Sequence, residues 1–293
     1  MITHRIITLL GGDARQATAA ERLFKRGYCV SFFAGAEIAS EFKIASSLED
    51  ALAKAKVVVL PLPSTTDGIH LNAPFYQGES IALAKIIEKM PSSALLVGGK
   101  IPDAILRDAE KRGICTVDYF KSEAFQIKNA YTTAEAAVSV AMNNMKKNLR
   151  SSRFAITGYG RIARALADLL IAFGASVTVL ARKESDLAWA ALAGADAKKL
   201  CTESISALKS GYDIIFNTAP AYLFFEDFLR EMDKNALIVD LASAPGGVDV
   251  SAAKRCCANV LWAASLPGKY APISAGELIA DCVCEIIESE VAE

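Results

Sequence analysis

The 293-residue sequence is poor in histidine and lacks the paired-cysteine patterns of structural metal sites. It has two histidines, His4 and His70, and its seven cysteines include no CxxC pair. A zinc site usually needs four Cys or His ligands at short, regular spacings, so we expect no metal centre. The odd number of cysteines and their mostly apolar neighbours predict reduced, buried thiols in a cytoplasmic protein.

Neither sign of charge dominates, and long apolar runs are absent. Lys and Arg number 32 and Asp and Glu 33, which leaves a net charge of −1 and argues against general nucleic-acid binding. The most apolar window, Leu166–Ala181, is interrupted by Asp168, Gly174 and Ser176. A membrane helix needs about 18 or more consecutive apolar residues. We therefore expect neither nucleic acid nor membrane among the partners.

What the sequence does contain is an alternation of short β-branched runs with longer stretches of helical periodicity. Ten runs are predicted strands: Arg5–Leu10, Tyr28–Phe33, Lys56–Leu60, Ala94–Val97, Ile114–Asp118, Arg153–Thr157, Ser176–Ala181, Asp213–Phe216, Ala236–Leu241 and Val260–Ala264. This alternation, repeated in both halves, predicts an α/β fold class with two doubly wound parallel-sheet domains. Ligands normally bind in the cleft between such domains.

The predicted domain boundary lies near residue 130. Residues 1–130 are predicted to form a flavodoxin-like substrate domain, and residues 131–273 a second domain. Thr132–Asn148 is predicted as a long helix, because Thr132 and Glu135 have the spacing of a capping box. The last helix, predicted over Ser274–Ser289, has no strand after it. We expect the segment 274–293 to pack back on the first domain.

The strongest chemical signal is the turn between two predicted elements of the second half. Gly158-x-Gly160-x-x-Ala163 follows a strand and opens a helix. Gly158 permits a tight turn, Gly160 lets the backbone approach a pyrophosphate, and Ala163 allows close helix–strand packing. The helix N-terminus, with Arg161 and Ile162, would face the phosphates. The second domain is therefore predicted to be a Rossmann NAD(P)-binding domain.

The end of the next predicted strand indicates which dinucleotide binds. NAD-specific sites usually carry Asp or Glu there, to bind the ribose 2′-hydroxyl. This sequence has Arg182 and Lys183 instead, and two cations suit a 2′-phosphate. We therefore predict NADP as the cofactor, with NAD as the alternative. A solvated strand end would explain the same two residues.

Two further loops follow predicted strands of the same domain and are expected to reach the nicotinamide half. The predicted contacts are Asn217, Thr218, Ala219 and Ser243, although Pro220 and Pro245-Gly246-Gly247 are also ordinary turn residues. For the substrate we expect an anion, held by Arg15 beside Asp13 and by Lys269 in the loop after the last strand. Asp13, Asp67, His70 and Lys269 are the candidate proton acceptors. Capping or surface pairing of Arg15 is the alternative.

Five segments together carry a family resemblance: GGDARQ, VVVLPLP, the Gly158–Ile162 fingerprint, VDLASAPGG and ASLPGKYAP. With them the sequence resembles the dipicolinate synthase A subunits over nearly its whole length. The resemblance implies oxidation of dihydrodipicolinate to dipicolinate with NADP or NAD during sporulation. It also implies a flavoprotein-like partner, the B subunit of dipicolinate synthase. It places the protein in a spore-forming bacterium.

Two other functions fit the same residues. The chain would then be a nucleotide-binding regulatory or assembly subunit whose partner performs the chemistry, or a dehydrogenase of another dicarboxylate or of an amino acid. Hydroxy-acid dehydrogenases commonly place a histidine late in the chain, and this sequence has none after His70. A dicarboxylate such as dipicolinate is compatible with the predicted cations Arg15 and Lys269, but the residues themselves do not select the substrate.

Overall fold

The computed structural model describes residues 6–38, 41–243 and 245–292, and these form two compact units. Unit 1 contains the described residues up to Asn129 and those from Ala271 onward, and unit 2 is Ala130–Tyr270. The division between the units falls inside a helix. Outside the described residues lie Arg5, the predicted start of the first strand, and two other residues of the sequence analysis, His4 and Ala244 of the VDLASAPGG segment.

Unit 1 is built on a parallel sheet of six strands. Numbered in chain order, these are β1 (Ile6–Leu10), β2 (Cys29–Phe33), β3 (Lys43–Ile44), β4 (Val57–Val59), β5 (Leu95–Gly98) and β6 (Thr116–Asp118). They lie side by side in the order β3-β2-β1-β4-β5-β6. Without the two-residue β3, the order is that of flavodoxin. Its helices are α1 (Ala14–Lys25), α2 (Leu48–Leu52), α3 (Leu83–Lys89), α4 (Asp103–Lys111) and, from the end of the chain, α12 (Pro272–Ala292).

Apolar residues cover both faces of this sheet, as expected for a parallel sheet. Val57, Val58 and Val59 are fully buried, with alternate side chains in the two separate hydrophobic clusters of the unit. On one face α12 packs against α1, and its Ile279, Val283 and Ile287 share a cluster with the apolar face of α1. Ion pairs flank the contact: Arg22 with Glu277, and Arg26 with Asp281.

Unit 2 repeats the arrangement. Its strands are β7 (Arg153–Thr157), β8 (Ser176–Ala181), β9 (Asp196–Lys199), β10 (Ile214–Asn217), β11 (Leu237–Asp240) and β12 (Val260–Trp262). All pair in parallel, in the order β12-β11-β10-β7-β8-β9. Its helices are the later part of α5 (Glu123–Asn144), then α6 (Arg161–Ala172), α7 (Glu184–Leu192), α8 (Thr202–Ser206), α9 (Glu226–Glu231), α10 (Val250–Arg255) and α11 (Leu266–Tyr270).

The differences from the predicted elements have physical causes. β3 and β9 were not predicted, because both are edge strands with largely exposed or polar residues and no apolar alternation. The capping box at Thr132 is wrong, since α5 begins nine residues earlier, at Glu123. There the Ser122 hydroxyl accepts a hydrogen bond from the Phe125 N–H and caps the helix.

Two further expectations are corrected. The segment after β12 is a short helix, α11, rather than a loop, and Lys269 is exposed on it. The expectation of buried thiols is wrong for most of the cysteines. Only Cys282 and Cys284 are buried among the seven, all of which are free thiols, whereas Cys256 is half-buried and the other four are exposed. Within the described part of the chain, no helix is long and apolar enough to cross a bilayer.

Candidate active-site residues at the two switch points

Each sheet has one place where the strand order reverses direction. In unit 1 it lies between β1 and β4, and in unit 2 between β7 and β10. Loops at the carboxyl ends of the two strands diverge at such a point and open a crevice, which is where doubly wound proteins bind ligands. The sequence-predicted site residues can be located relative to these two points.

In unit 2 the glycines form the turn at the switch point. Gly158 has φ +90°, which a side chain rarely adopts, and a Cβ there would stand 2.7 Å from Thr218 Oγ1 of the neighbouring loop. Gly160 is the N-cap of α6 and provides no side-chain cap. No described atom beyond its neighbours lies within 4 Å of the position a Cβ would take at Gly160. The space above this turn is therefore open.

The N-terminus of α6 has the features of a diphosphate-binding site. Arg161 is the exposed first residue of the helix, Ile162 packs against the core, and Ala163 is fully buried beneath the turn. The first N–H groups of a helix have no intrahelical acceptors and carry partial positive charge. With no side chain capping them, they fit the pyrophosphate of a dinucleotide.

The end of β8 carries the two cations predicted to select the cofactor. Arg182 and Lys183 follow the buried Ala181 directly, and both are exposed. The first acidic residue after them, Glu184, lies in α7, where it forms an ion pair with Lys199 at 2.5 Å. The strand end therefore presents cations to solvent and no free carboxylate.

A buried polar network connects three neighbouring strand ends of unit 2. Thr157 Oγ1 donates to Asn217 Oδ1 at 2.7 Å, and Asn217 Nδ2 donates to Asp240 Oδ1 at 2.8 Å. Asp240 also accepts the backbone N–H groups of Ala242 at 3.1 Å and Gly247 at 2.7 Å. These bonds fix the loops after β7, β10 and β11 relative to one another.

Asn217 was predicted to contact the nicotinamide half of the cofactor, but the network gives it a structural role. This side chain is fully buried, and its amide is used within the protein, including two bonds to Ala219. It therefore positions the loop, while Thr218 and Ala219 are half-buried and Ser243 is exposed. Thr157 and Asp240 were not predicted as positioning residues. Both are polar residues at the end of an apolar strand, and this pattern could have indicated their positioning role.

At the switch point of unit 1, Asp13 and Arg15 bind each other. Arg15 Nε and Nη2 donate to the Asp13 carboxylate at 2.9 and 2.8 Å, and the Arg15 backbone N–H donates to it at 3.0 Å. Arg15 Nη2 also donates to the Leu62 carbonyl at 2.7 Å. Leu62 follows β4, so this contact joins the two loops of the switch point. The Arg15 side chain is only 9% exposed.

Three buried polar atoms in unit 1 have no hydrogen-bond partner among the described residues. They are Gln16 Oε1 in the first turn of α1, Ser31 Oγ on β2, and the Tyr119 hydroxyl oxygen. Burial raises the pKa of Tyr119 far above its ordinary value, so the phenol stays neutral. Gln16 Nε2 donates to the Val59 carbonyl at 3.0 Å. No role was predicted from the sequence for any of these three residues.

The structure brings together some candidate residues of unit 1 and separates others. Asp67 and His70 form a pair in the loop after β4, with Asp67 Oδ2 2.7 Å from His70 Nδ1. Asp13 and Arg15 form the other pair. Lys269 belongs to unit 2. No cluster of three His, Cys, Asp or Glu side chains able to hold a metal is found in the part of the chain that the structure describes.

Comparisons with known proteins agree with both halves of this description. Residues 6–120 match the N-terminal domain family of the dipicolinate synthase A subunit, and residues 121–250 match the NAD binding domain of D-isomer specific 2-hydroxyacid dehydrogenases. The dipicolinate synthase A subunit of Bacillus subtilis (strain 168) is 28% identical over 303 residues, covering 100% of this chain and 99% of the relative. The chain is similar throughout to the A subunit of dipicolinate synthase, and its residues 121–250 are similar to an NAD-binding dehydrogenase domain.

Solved structures give the same result. The dipicolinate synthase A subunit from Bacillus halodurans has a TM-score of 0.85 at 26% identity, covering 98% of this chain and 99% of that one. Its counterpart from Bacillus subtilis has a TM-score of 0.84 at 25% identity, with 99% coverage of both. A transhydrogenase from Sinorhizobium meliloti (TM-score 0.71, 17% identity, 98% and 94% coverage) shares the fold. The predicted α/β fold class and the resemblance to the dipicolinate synthase A subunits are confirmed.

Proposed function

We propose that the chain oxidises dihydrodipicolinate to dipicolinate during sporulation, with NADP, or alternatively NAD, as hydride acceptor. The observation that carries the proposal is the uncapped Gly160 turn at the switch point of unit 2, in a chain similar throughout to a dipicolinate synthase A subunit. A bound nicotinamide dinucleotide supplies the hydride acceptor.

The residues of unit 2 have distinct roles in this proposal. Gly158, Gly160, Arg161 and Ile162 form the phosphate-binding turn. Thr218, Ala219 and Ser243 border the nicotinamide side, and Asn217 and Asp240 hold their loops in place. Arg182 and Lys183 bind the adenosine ribose and favour a 2′-phosphate, since charge-assisted hydrogen bonds to phosphate are strong.

The substrate is a dianion, so it requires cations or N–H donors. We propose that Arg15, in unit 1, binds one of its carboxylates. Arg15 uses Nε and Nη2 for Asp13 and Leu62, which leaves the Nη1 edge of the guanidinium outside those bonds. Because Asp13 already neutralises Arg15, we expect Arg15 to orient a carboxylate rather than to supply most of the attraction.

The proposal includes the biological setting that the resemblance implies. It places the chain in the cytoplasm of a spore-forming cell, working with a flavoprotein-like B subunit. The relatives are named as one subunit of a synthase, which supports a partner subunit. The exposed apolar side chains Phe173, Trp189 and Leu192 of unit 2 are compatible with a covered surface.

The deciding experiment is a direct assay of the purified chain alone. Mixed with dihydrodipicolinate and NADP, it should produce the absorbance of reduced nicotinamide, and the variant Gly160→Val should not. Other dicarboxylates and amino acids serve as substrate controls. Nucleotide binding without turnover until the B subunit is added would instead support a nucleotide-binding subunit whose partner performs the chemistry. Absence of nucleotide binding would contradict the proposal.

A further inference from the structure

We propose that Arg164 is a positioning residue for the dinucleotide, because it joins the Gly158–Gly160 turn to the segment that carries Arg182 and Lys183. The inference rests on the proposed binding of a dinucleotide to unit 2. It assigns how two parts of that site, the turn for the pyrophosphate and the end of β8 for the adenosine ribose, are held relative to each other. Every contact that carries it lies within unit 2.

Arg164 contacts the turn through its backbone and through its side chain. It is the fourth residue of α6. Its backbone N–H donates to the Gly160 carbonyl at 2.9 Å, and its Nε donates to the Tyr159 carbonyl at 3.2 Å. Its Cζ lies 5.2 Å from the centre of the Tyr159 ring, which is buried in the hydrophobic core of the unit. One residue therefore binds both carbonyl groups of the Tyr159–Gly160 pair.

The side-chain contact sets the orientation of one peptide group in the turn. The Tyr159 carbonyl and the Gly160 N–H belong to the same planar peptide, which is trans, and in a trans peptide these two groups point in opposite directions. Because Arg164 Nε binds the carbonyl, the Gly160 N–H points away from the guanidinium. Gly160 is the N-cap of α6, so the direction of this N–H is part of the geometry that a phosphate would meet.

The other contact of the Arg164 side chain is with the first turn of α7. Nη2 donates to Asp186 Oδ1 at 3.0 Å. The backbone N–H groups of Asp186 and Leu187 both donate to the Lys183 carbonyl at 3.1 Å, and Lys183 is the N-cap of α7. Asp186 therefore connects Arg164 to the helical turn that begins at Lys183, directly after Arg182.

The two contacts together require an arginine. Its planar guanidinium presents several N–H donors in a fixed arrangement, whereas a lysine has a single ammonium group at the end of a flexible chain. The Arg164 and Asp186 side chains are 48% and 22% exposed, and ion pairs this exposed contribute little to folding stability. The effect of the pair is therefore expected in the geometry of the ligand site rather than in the stability of the fold.

NAD and NADP depend on this connection to different degrees. The pyrophosphate is common to both, so a less well-ordered turn weakens both. Only NADP carries the 2′-phosphate that Arg182 and Lys183 are proposed to bind, so a displaced start of α7 weakens NADP further. Arg164 therefore contributes to the preference for NADP as well as to the affinity for both dinucleotides.

A purely electrostatic role for Arg164 predicts a different result. As a cation that attracts the phosphates, Arg164 would be opposed by the Asp186 carboxylate, and removing that carboxylate would strengthen NADP binding. In the positioning role Asp186 is the partner through which Arg164 acts, so removing it weakens NADP binding. The sign of the change in Asp186→Asn separates the two roles.

The test measures the Kd of NADP and of NAD, by isothermal titration, for Arg164→Gln, Asp186→Asn and the double variant. In each single variant we expect the Kd of NADP to rise by roughly fivefold or more and that of NAD by roughly twofold. The double variant should stay within roughly twofold of the weaker single variant, since residues in contact are not additive. Arg164→Lys keeps the charge without both contacts and should remain closer to Arg164→Gln than to the parent.

Lys209→Gln is the matched control, because it breaks another ion pair of unit 2, that of Lys209 with Glu231 at 2.7 Å. Lys209 precedes the amino end of β10, away from the carboxyl ends where ligands bind, so both Kd values should stay within about twofold of the parent. Thermal unfolding verifies that each variant is folded.

Three results would overturn the inference: parent-like NADP affinity in Arg164→Gln, equal weakening of both dinucleotides, or tighter NADP binding in Asp186→Asn. A parent protein that binds neither dinucleotide, or NAD alone, would instead overturn the proposed cofactor. The measurements on the parent therefore distinguish failure of the proposed function from failure of the role assigned to Arg164.

Discussion

In each unit, the first strand along the chain is followed by a three-residue turn and a twelve-residue helix. The turn is Gly11-Gly12-Asp13 before α1, and Gly158-Tyr159-Gly160 before α6. The strand orders around the two turns are also the same. What differs is the chemistry at matching positions: an N-cap carboxylate, Asp13, corresponds to the bare backbone of Gly160, and Gln16 corresponds to Ala163.

The difference shows that the fold alone does not make a dinucleotide site. In unit 1 the Asp13 carboxylate occupies the helix N-terminus and binds Arg15, so an incoming phosphate would meet a negative charge. In unit 2 the same place offers uncapped N–H groups and open space. The first unit is therefore free for a different ligand, and the second accepts a diphosphate.

The largest effect that would test this comparison is expected for Gly160→Val. A branched side chain there would fill the open space above the turn, so dinucleotide affinity should fall by at least roughly 100-fold, or about 3 kcal/mol. Thermal unfolding should change little, because no described atom is within 4 Å of the new Cβ. Isothermal titration measures the affinity.

The matched variant is Gly158→Val, whose Cβ would meet Thr218 and whose φ is positive. It should lower the unfolding temperature instead. If Gly160→Val kept parent affinity, the phosphates would have to bind elsewhere.

The next effect concerns unit 1. Asp13→Ala removes the N-cap and leaves Arg15 buried without its partner. Breaking a buried ion pair costs about 3–5 kcal/mol, and the partial exposure of Asp13 reduces the expected loss to about 2–3 kcal/mol. Urea unfolding, followed by the fluorescence of Tyr119 or Tyr28 in unit 1, would measure this loss in the free energy of unfolding. NADP affinity should stay at the parent value, and a parallel loss of NADP binding would show that the two turns are not independent.

A smaller effect sharpens the assignment of the cofactor. Arg182→Asp removes a cation and adds an anion at the end of β8. We expect NADP affinity to fall by about 1.5–3 kcal/mol more than NAD affinity, since only NADP loses a charge-assisted hydrogen bond to phosphate. Lys254→Asp, at an exposed position on α10, is the charge-matched control. Equal weakening of both cofactors by Arg182→Asp would refute the NADP assignment.

The smallest effect is a pH dependence confined to unit 1. Burial raises the pKa of Cys282 on α12 to about 11, from an ordinary value of 9.0. Because the folded state favours the neutral thiol, the stabilisation is complete below about pH 9 and is lost as the pH rises to about 11. Unfolding free energies measured over this range should therefore decline, and Cys282→Ala should reduce the slope. A slope unchanged by the substitution would assign it to another group, such as Tyr28, whose pKa burial raises to about 12.

The sequence predicts the fold well wherever burial imposes a pattern. β7 and β8 have the predicted bounds because both are apolar and end at turns. The edge strands β3 and β9 were missed, since they are held by a neighbour on one side and need no apolar alternation. The start of α5 was also missed, because Ser122 was not recognised as the cap and Thr132 gave a stronger local signal.

The candidate site also has features that could be predicted from the sequence and features that could not. The glycine turn of unit 2 follows from spacing, because its function depends on local backbone geometry. The Asp13–Arg15–Leu62 contact and the Thr157–Asn217–Asp240 network could not be predicted, since each joins strand ends that are distant in sequence. The Asp67–His70 pair is local, but a spacing of three residues in a loop does not by itself predict a hydrogen bond.

The most direct test of the central comparison is the number of dinucleotides bound per chain. Titration of NADP into the purified protein should give one site per chain. That site should disappear in Gly160→Val and persist in Asp13→Ala. Two sites per chain, or one site that Asp13→Ala removes and Gly160→Val leaves intact, would contradict the assignment of the dinucleotide to unit 2 alone.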